Sequence, residues 1–253
     1  MSEDRGRLVV VDDADALARE AAAELTRIAQ RSVAASGRFT LALSGGSTPR
    51  RLYALLADPA APFRAAIPWT ATQVFFGDER HVPPDDPQSN YRMADEALLS
   101  RVPIPRGNVH RVEAERPDAA EAAALYAGEI GRVFALAPGE WPRFDLILLG
   151  MGPDGHTASL FPGTDALAVR HRAAAATWVA KFDAYRITLT LPVFDAAAAV
   201  HFLVSGADKA QTLRAVFDPG SPPDAFPCQR IRPRDGDLLW LVDRAAAGEL
   251  ARP

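Results

Sequence analysis

Short apolar runs alternate with longer, alanine-rich segments along this chain. The runs have the length and composition of β-strands, and the segments between them carry apolar residues at helical spacing. Strands are predicted at residues 8–11, 39–43, 74–76, 109–112, 144–149, 177–180, 187–191, 200–204 and 238–242. Helices are predicted at 15–35, 117–136 and 209–217, and Pro49 suits the first turn of another.

The run at 144–149 is the clearest strand, because it has almost no polar alternation and is therefore expected to be covered on both faces. Repetition of strand, helix and strand predicts right-handed crossovers and an open, mainly parallel, doubly wound α/β sheet with helices on both faces. No internal repeat or long linker interrupts the pattern, and the Pro-rich stretch 219–227 is too short to separate domains. A single domain over 1–253 is predicted.

Composition narrows the classes of function. The 253 residues are 48% hydrophobic with a formal net charge of -4, and no dense Lys/Arg run is present, so nucleic acid is not an expected partner. Cys228 is the only cysteine, which excludes an internal disulfide and a multi-cysteine zinc cluster. The polar start lacks the apolar core of a signal peptide, and no apolar stretch approaches membrane-spanning length. A cytoplasmic protein without membrane contact is expected.

Four polar, glycine-containing loops follow predicted strands, at residues 44–48, 77–81, 150–156 and 205–209. Open α/β sheets bind ligands beyond the carboxyl ends of their strands, so these loops are expected to share one edge. The first consists of Ser44, Gly45, Gly46, Ser47 and Thr48 at a helix start, where backbone N–H groups favour a phosphate. A capped glycine turn is the alternative. The segment is neither a Walker loop nor a dinucleotide fingerprint, so neither ATP nor NAD is implied.

In the second loop Arg80 is suited to bidentate contact with a phosphate or carboxylate. Asp78 and Glu79 cannot both face the same direction, so at least one is expected to support the loop. After it comes a long polar stretch in which Asn90 can bond a sugar hydroxyl. The alternative is that Ser89 or Asn90 caps a helix beginning near Tyr91.

The 150–156 loop leaves the clearest strand and places Asp154 and His156 two positions apart, at the start of a predicted helix. Histidine is suited to proton transfer near neutral pH, and a carboxylate can orient its ring. The pair therefore suits a general base acting on water, although an Asp cap before a first-turn histidine is the alternative. No Gly-x-Ser-x-Gly elbow supports a serine esterase. Lys181, Arg186 and Lys209 are phosphate ligands only if the sheet edge gathers them beside Ser44.

Four segments together resemble the glucosamine-6-phosphate isomerase/6-phosphogluconolactonase family, in matching order. They are Leu43-Ser44-Gly45-Gly46-Ser47-Thr48-Pro49, Gly77-Asp78-Glu79-Arg80, Ser89-Asn90-Tyr91 and the run from Gly150 through Asp154-Gly155-His156 to Gly163. The resemblance implies a Rossmann-like fold and hydrolysis of 6-phospho-D-glucono-1,5-lactone in the oxidative pentose phosphate pathway, without metal or organic cofactor. It makes His156 the general base, Asp154 its partner and Arg80 a substrate contact.

One segment departs from the family pattern. The prolines usual before the Arg-Ile-Thr-Leu-Thr strand are missing, while Lys181 and Arg186 remain. The resemblance implies that Lys181 reaches the phosphate, along a local path that differs. A glucosamine-6-phosphate deaminase-like isomerase and a non-catalytic sugar-phosphate sensor are the competing functions. A monomer or weak homo-oligomer is expected.

Overall fold

The computed structural model describes residues 5–218, 220–222 and 225–250. Its strands are β1 (Arg7–Val11), β2 (Phe39–Leu43), β3 (Thr72–Phe76), β4 (Asp78–Arg80), β5 (Leu146–Leu149), β6 (Ala174–Val179), β7 (Ala184–Leu189), β8 (Ala199–Val204) and β9 (Asp237–Asp243). Six of them form one parallel sheet in the order β1-β9-β8-β5-β2-β3. The strands β4-β7-β6 form a smaller antiparallel sheet.

The helices connect these strands. They are α1 (Ala14–Ser36), α2 (Ser47–Ala57), α3 (Pro62–Ala66), α4 (Asn90–Ala94), α5 (Ala119–Phe134), α6 (Leu191–Ala196) and α7 (Ala210–Phe217). The longest begins at the N-cap Asp13, whose carboxylate accepts from the Ala16 N–H at 2.7 Å. It ends at Gly37, which has a φ of 76° that glycine adopts without strain.

Helices cover both faces of the parallel sheet, which explains why its inner strands are mostly apolar. On one face Leu41, Leu146 and Leu148 pack with α1 and α2. On the other face Ile147 and Leu149 pack with α5 and α7. The predicted α/β class, with a mainly parallel sheet covered by helices on both sides, is confirmed.

The two sheets meet at Gly77, which separates β3 from β4. Its N–H donates to Leu43 O at 2.8 Å, and its carbonyl accepts from Leu189 N at 2.9 Å. One residue therefore belongs to the hydrogen bonding of both sheets, and the chain passes directly from β3 into the antiparallel sheet. This junction lies beside the carboxyl end of β2, where the first polar loop begins.

Some predicted elements differ from the structure. Residues 109–112 are not a strand: a single bridge joins Val109 to Val74, because His110 turns its ring to Gln73 and Glu129. The segment Asp78–Arg80 is a strand, although it was predicted as a loop. Residues 1–4 and part of the Pro-rich stretch 219–227 lie outside the described residues. None of the described helices combines the length and apolar character needed to span a bilayer.

Candidate active site

A cleft of about 280 Å³ opens at the carboxyl ends of β2, β5 and β8. Two of the four predicted loops, 44–48 and 150–156, border it with five residues each, and the loops 77–81 and 205–209 contribute two each. The lining residues are Ser44, Gly45, Gly46, Ser47, Thr48, Pro49, Asp78, Arg80, Asn90, Gly150, Met151, Gly152, Pro153, His156, Thr157, Ala158, Leu203, Val204, Ser205 and Lys209. The expected gathering of the loops at one sheet edge is therefore present.

The 44–48 loop is held from behind by a tyrosine. The hydroxyl of Tyr53 donates to Ser44 O at 2.8 Å and accepts from Ser44 N–H at 3.0 Å. Burial raises the pKa of Tyr53 well above its usual range, so the hydroxyl keeps its proton. The same side chain therefore satisfies both backbone groups of the residue that begins the loop.

The open side of this loop faces the cleft. Helix α2 begins at Ser47 with Gly46 as N-cap, and no side chain caps it, so its first N–H groups remain available to a ligand. The Oγ of Ser44 is the one fully buried side-chain polar atom without a partner in the part of the chain described. Gly45 lies so close to Asn90 that an added Cβ would be 1.9 Å from the Asn90 Oδ1. These features suit an anion held by backbone amides.

Glu79 organises the segment that brings Asn90 to the cleft. Its buried carboxylate accepts from the N–H of Asn90 at 2.7 Å, from the N–H of Tyr91 at 2.8 Å and from Ser89 Oγ at 3.1 Å. Burial raises the pKa of Glu79 despite these bonds. Glu79 thus supports the loop, as predicted for one member of the Asp78–Glu79 pair.

The two interpretations of the 89–91 segment are compatible. Ser89 is the N-cap of α4, since its Oγ accepts from the Arg92 N–H at 3.1 Å. The next residue, Asn90, lines the cleft and donates through Nδ2 to Asp78 O at 2.9 Å. Asn90 therefore has its amide positioned by the protein before any ligand is present.

Two arginines lie opposite each other on neighbouring strands, because Arg80 of β4 pairs with Arg186 of β7. Arg80 lines the cleft and donates to the carbonyl of Gln88. Arg186 is buried but is not a lining residue, and its guanidinium lies 5.3 Å from the centre of the Phe182 ring. Burial, followed by the charge of Arg80, lowers the pKa of Arg186. The pair concentrates positive charge beside the cleft.

The 150–156 loop does not lead into a helix, contrary to prediction. It forms turns instead, with the Gly152 N–H donating to His156 O at 2.8 Å and Thr157 Oγ1 donating to Gly150 O at 2.9 Å. Side-chain and tertiary bonds close this loop where helical bonds were expected. Gly152 is required here, since an added Cβ would lie 2.0 Å from the His156 ring atoms Nδ1 and Cε1.

The imidazole of His156 is oriented by two neighbours. Asp154 Oδ1 contacts its Nδ1, and Phe161 stacks on the ring with centroids 4.1 Å apart. Burial raises the pKa of Asp154, but the hydrogen bond and charge of His156 and the bond from Lys181 outweigh it and bring the pKa to about 2. The ring is therefore paired with an ionised carboxylate, which leaves Nε2 as the nitrogen for proton transfer to a ligand.

The three basic residues predicted downstream lie in different places. Lys209 lines the cleft and contacts Asp208 at 2.6 Å. Its loop is fixed from below, because the Gly206 N–H donates to Asp243 Oδ1 at 3.1 Å. Lys181 lies outside the lining and bonds Asp154 Oδ2 at 3.1 Å. The sheet edge thus brings Lys209, but not Lys181, into the cleft beside the 44–48 loop.

Several residues of the site were not predicted as such. Asp78 lines the cleft, and its Oδ2 accepts from Ser159 Oγ at 2.7 Å. Tyr53 and Phe161 support the two loops from outside. Asp78 carried a sequence signal as the first carboxylate after β3, and Phe161 lies within the run to Gly163 that carries the family resemblance, whereas Tyr53 carried no such signal. Within the described ranges no group of three or more His, Cys, Asp or Glu side chains is placed to hold a metal ion.

The fold and the residues of the cleft indicate the protein family to which this chain belongs. Residues 12–240 match the family model described as glucosamine-6-phosphate isomerases/6-phosphogluconolactonase, so the chain belongs to that family. The predicted resemblance is thereby confirmed, as is the Rossmann-like class.

Individual relatives narrow the comparison. The chain is 45% identical over 243 residues to a 6-phosphogluconolactonase of Nostoc sp., covering 96% of this chain and 97% of that protein. The solved 6-phosphogluconolactonase from Trypanosoma cruzi superposes with a TM-score of 0.85 at 31% identity, covering 100% of this chain and 99% of that one. A monomeric glucosamine-6-phosphate deaminase shares the fold with a TM-score of 0.79 at 18% identity, covering 96% and 99% of the two chains.

Proposed function

We propose that this chain hydrolyses 6-phospho-D-glucono-1,5-lactone to 6-phospho-D-gluconate, the lactone-opening step of the oxidative pentose phosphate pathway. The observation that carries the proposal is the position of His156, paired with Asp154, in one cleft with the 44–48 loop and Lys209. A proton-transferring group and an anion-binding loop therefore face the same small volume. The similarity to named 6-phosphogluconolactonases along nearly the whole chain supports this substrate.

The phosphate binds at the 44–48 loop. Backbone N–H groups of Gly45, Gly46, Ser47 and Thr48 supply directed donors, and the unpartnered Oγ of Ser44 supplies a hydroxyl. Lys209 adds a full positive charge to the same cleft. The predicted phosphate contacts of Lys181 and Arg186 stay predictions, because neither side chain lines the cleft.

Anchoring the phosphate places the lactone carbonyl near His156. The Nε2 takes a proton from a water molecule, whose oxygen then bonds to C1 of the lactone while the carbonyl electron pair moves to its oxygen. Arg80, or a backbone N–H of the 150–156 loop, stabilises this oxyanion. When the oxyanion collapses, the bond from C1 to the ring oxygen breaks and His156 returns its proton to that oxygen. Water is consumed, and the imidazole is regenerated.

Asn90 and Asp154 position the reacting groups. Asn90 is held by Asp78 and Glu79 with its amide at the cleft, where it contacts a sugar hydroxyl. Asp154 keeps the proton of His156 on Nδ1 and stabilises the imidazolium that forms during the reaction. Correct orientation of water and carbonyl removes much of the entropic barrier to their reaction.

The decisive experiment compares two substrates. The purified chain is expected to accelerate hydrolysis of the lactone, freshly generated from glucose 6-phosphate and measured as acid release above the spontaneous rate. It is expected to release no ammonia from glucosamine 6-phosphate. Ammonia release would support the deaminase-like alternative, and tight binding of 6-phosphogluconate without turnover would support a sensor; either result would overturn the proposal.

The remaining properties follow from this assignment. We propose that residues 1–253 work as a single domain and act as a monomer or weak homo-oligomer, which sedimentation at several concentrations would test. A cytoplasmic location fits the substrate, since a doubly charged phosphate ester does not cross a bilayer unaided. Localisation of the tagged chain by cell fractionation would test it.

A further inference from the structure

Both carboxylate oxygens of Asp154 are engaged, and by different side chains. Oδ1 contacts His156 Nδ1, whereas Oδ2 accepts from Lys181 Nζ at 3.1 Å. The carboxylate therefore lies between an imidazole that becomes positive during the reaction and an amine that is positive throughout. The two cations share one anion.

Lys181 is placed for this contact by the antiparallel sheet. It lies in a short 3-10 turn, Ala180–Phe182, between β6 and β7, which Asp183 closes with a φ of 48°. The ring of Phe182 lies edge-on to Phe161, with centroids 5.7 Å apart, and Phe161 stacks on His156. The turn thus packs against Phe161, the ring that stacks on His156. This is the segment in which the family's usual prolines are missing.

We propose that Lys181 is a positioning residue of the Asp154–His156 pair, one that holds the Asp154 carboxylate and disfavours the protonated form of His156. The proposal rests on the lactonase function proposed above. It assigns Lys181 to proton transfer, in place of the phosphate contact that the family resemblance implies. Among the described residues, Lys181 bonds Asp154 and makes no hydrogen bond or ion pair with the 44–48 loop, so it acts through Asp154.

Other charged groups face the pair and define its background. Asp78, Arg80 and Lys209 line the same cleft as His156, and Lys209 pairs with Asp208. Cys228 packs below the loop, its N–H donating to Gly155 O at 3.0 Å; burial raises the pKa of its thiol to about 12, so it stays neutral. In the described part of the chain, Lys181 is the one cation bonded to Asp154 besides His156 itself.

Removing this cation should shift the pH dependence of kcat/KM in a definite direction. Without Lys181 the whole charge of Asp154 acts on His156, the imidazolium is favoured, and the basic form persists only at higher pH. The acid limb of the profile of kcat/KM against pH should move up by about half a pH unit, as expected for a charge several Å away in a half-exposed site. Added salt should shrink the shift, because Lys181 is 52% exposed.

The test compares three variants at this position. Lys181→Met is expected to move the acid limb to higher pH with KM changed less than about twofold. Lys181→Gln, which keeps a donor but not the charge, should move it as far as Lys181→Met does. Lys181→Arg keeps the charge and should restore the wild-type profile. Lys209→Met is the matched control: it should raise KM about tenfold or more and move the acid limb less.

A direct titration separates this inference from the proposed function. The His156 imidazole is followed by NMR in the protein without substrate, its resonance assigned with His156→Ala among the five histidines. Lys181→Met is expected to shift its midpoint upward whether or not the lactone is the substrate. An unmoved midpoint would overturn the inference. An unmoved acid limb together with a large rise in KM would also overturn it, and it would make Lys181 a phosphate ligand.

Discussion

The two walls of the cleft are built from different kinds of atoms. The wall formed by the 44–48 loop offers backbone N–H groups and hydroxyls, and a neutral tyrosine holds it in place. The wall formed by the 150–156 loop offers one imidazole, held by a carboxylate, a lysine and an aromatic ring. The first wall carries no formal charge of its own, whereas the second depends on the charges of Asp154 and Lys181.

This difference predicts which kinetic parameter changes when each wall is mutated. Backbone donors survive most side-chain changes but are displaced by added volume, so damage to the first wall should appear in KM. The second wall supplies proton transfer and is sensitive to charge and to ring orientation, so damage there should appear in kcat and in the pH profile. Each variant below tests whether the two walls can be altered separately.

The largest effect is expected for His156→Ala. Loss of the general base should lower kcat by about 100-fold or more, while 6-phosphogluconate still binds because the 44–48 loop is intact. Stopped assays corrected for spontaneous hydrolysis measure the rate, and calorimetry measures product binding. Hydrolysis at nearly the wild-type rate would remove His156 from the mechanism.

Matched glycine variants compare the walls directly. In Gly152→Ala the new Cβ would lie 2.0 Å from the imidazole, so the ring must turn away and kcat should fall by roughly 100-fold. In Gly45→Ala it would lie 1.9 Å from the Asn90 Oδ1, which should raise KM more than it lowers kcat. Steady-state kinetics on both variants, with circular dichroism to verify folding, is the measurement. If both variants changed the same parameter, the walls would not be separable.

Asp154→Asn should have an intermediate effect. Burial raises the pKa of Asp154, yet His156 and Lys181 lower it to about 2, so the carboxylate is ionised at neutral pH. A single proton then controls the acid limb, which should have unit slope in the wild type. The asparagine variant should lose about tenfold or more in kcat, and its acid limb should move to lower pH because the imidazolium loses its anion. A limb moving upward would contradict this electrostatic role.

The smallest effect on activity is expected for Tyr53→Phe, which leaves the N–H and C=O of Ser44 without their partner. Unfolding free energy should fall by about 1–3 kcal/mol, and KM should rise a few-fold as the loop loosens. Tyr126→Phe is the control, because the Tyr126 hydroxyl makes the same pair of bonds, both 2.8 Å, to Phe76 on β3. It should lose similar stability in urea titration and keep its KM. Equal KM values for the two variants would show that Tyr53 does not position the 44–48 loop for phosphate binding.

Strands buried on both faces were predictable because most positions in them are apolar, and every position is at Leu146–Leu149. Strand β4 was missed because Asp78, Glu79 and Arg80 satisfy their side chains through loop and cleft contacts and show no apolar alternation. The 109–112 run was overpredicted, since a single bridge joins it to β3 and the His110 ring bonds Glu129 of α5 as well as Gln73 of β3. Local pattern therefore identified the elements that the core determines, and it failed where polar tertiary contacts determine the backbone.

The residues of the site also divide into those that the sequence pattern identified and those that it could not. The glycine loop and the Asp154–His156 pair are close in sequence and could be recognised there. Lys181 lies 27 residues from Asp154, and Tyr126 lies 50 residues from Phe76, so neither contact has a local sequence signal. Which lysine enters the cleft depends on where the antiparallel sheet places the turn after β6. The fold places Lys209 in the cleft and Lys181 outside the cleft lining.

The pairing of β1 with β9 has a consequence for synthesis on the ribosome. β1 lies at the sheet edge with β9 as its neighbour, in a register that joins Leu8 to Trp240 and Val10 to Val242. β1 is therefore made well before β9 and must wait for it before the two can pair. Such a distant contact slows folding, because the loop entropy is lost before the pairing compensates for it. Until residue 243 emerges, β1 remains an unpaired apolar segment, and nascent chains stalled before β9 should depend on chaperones.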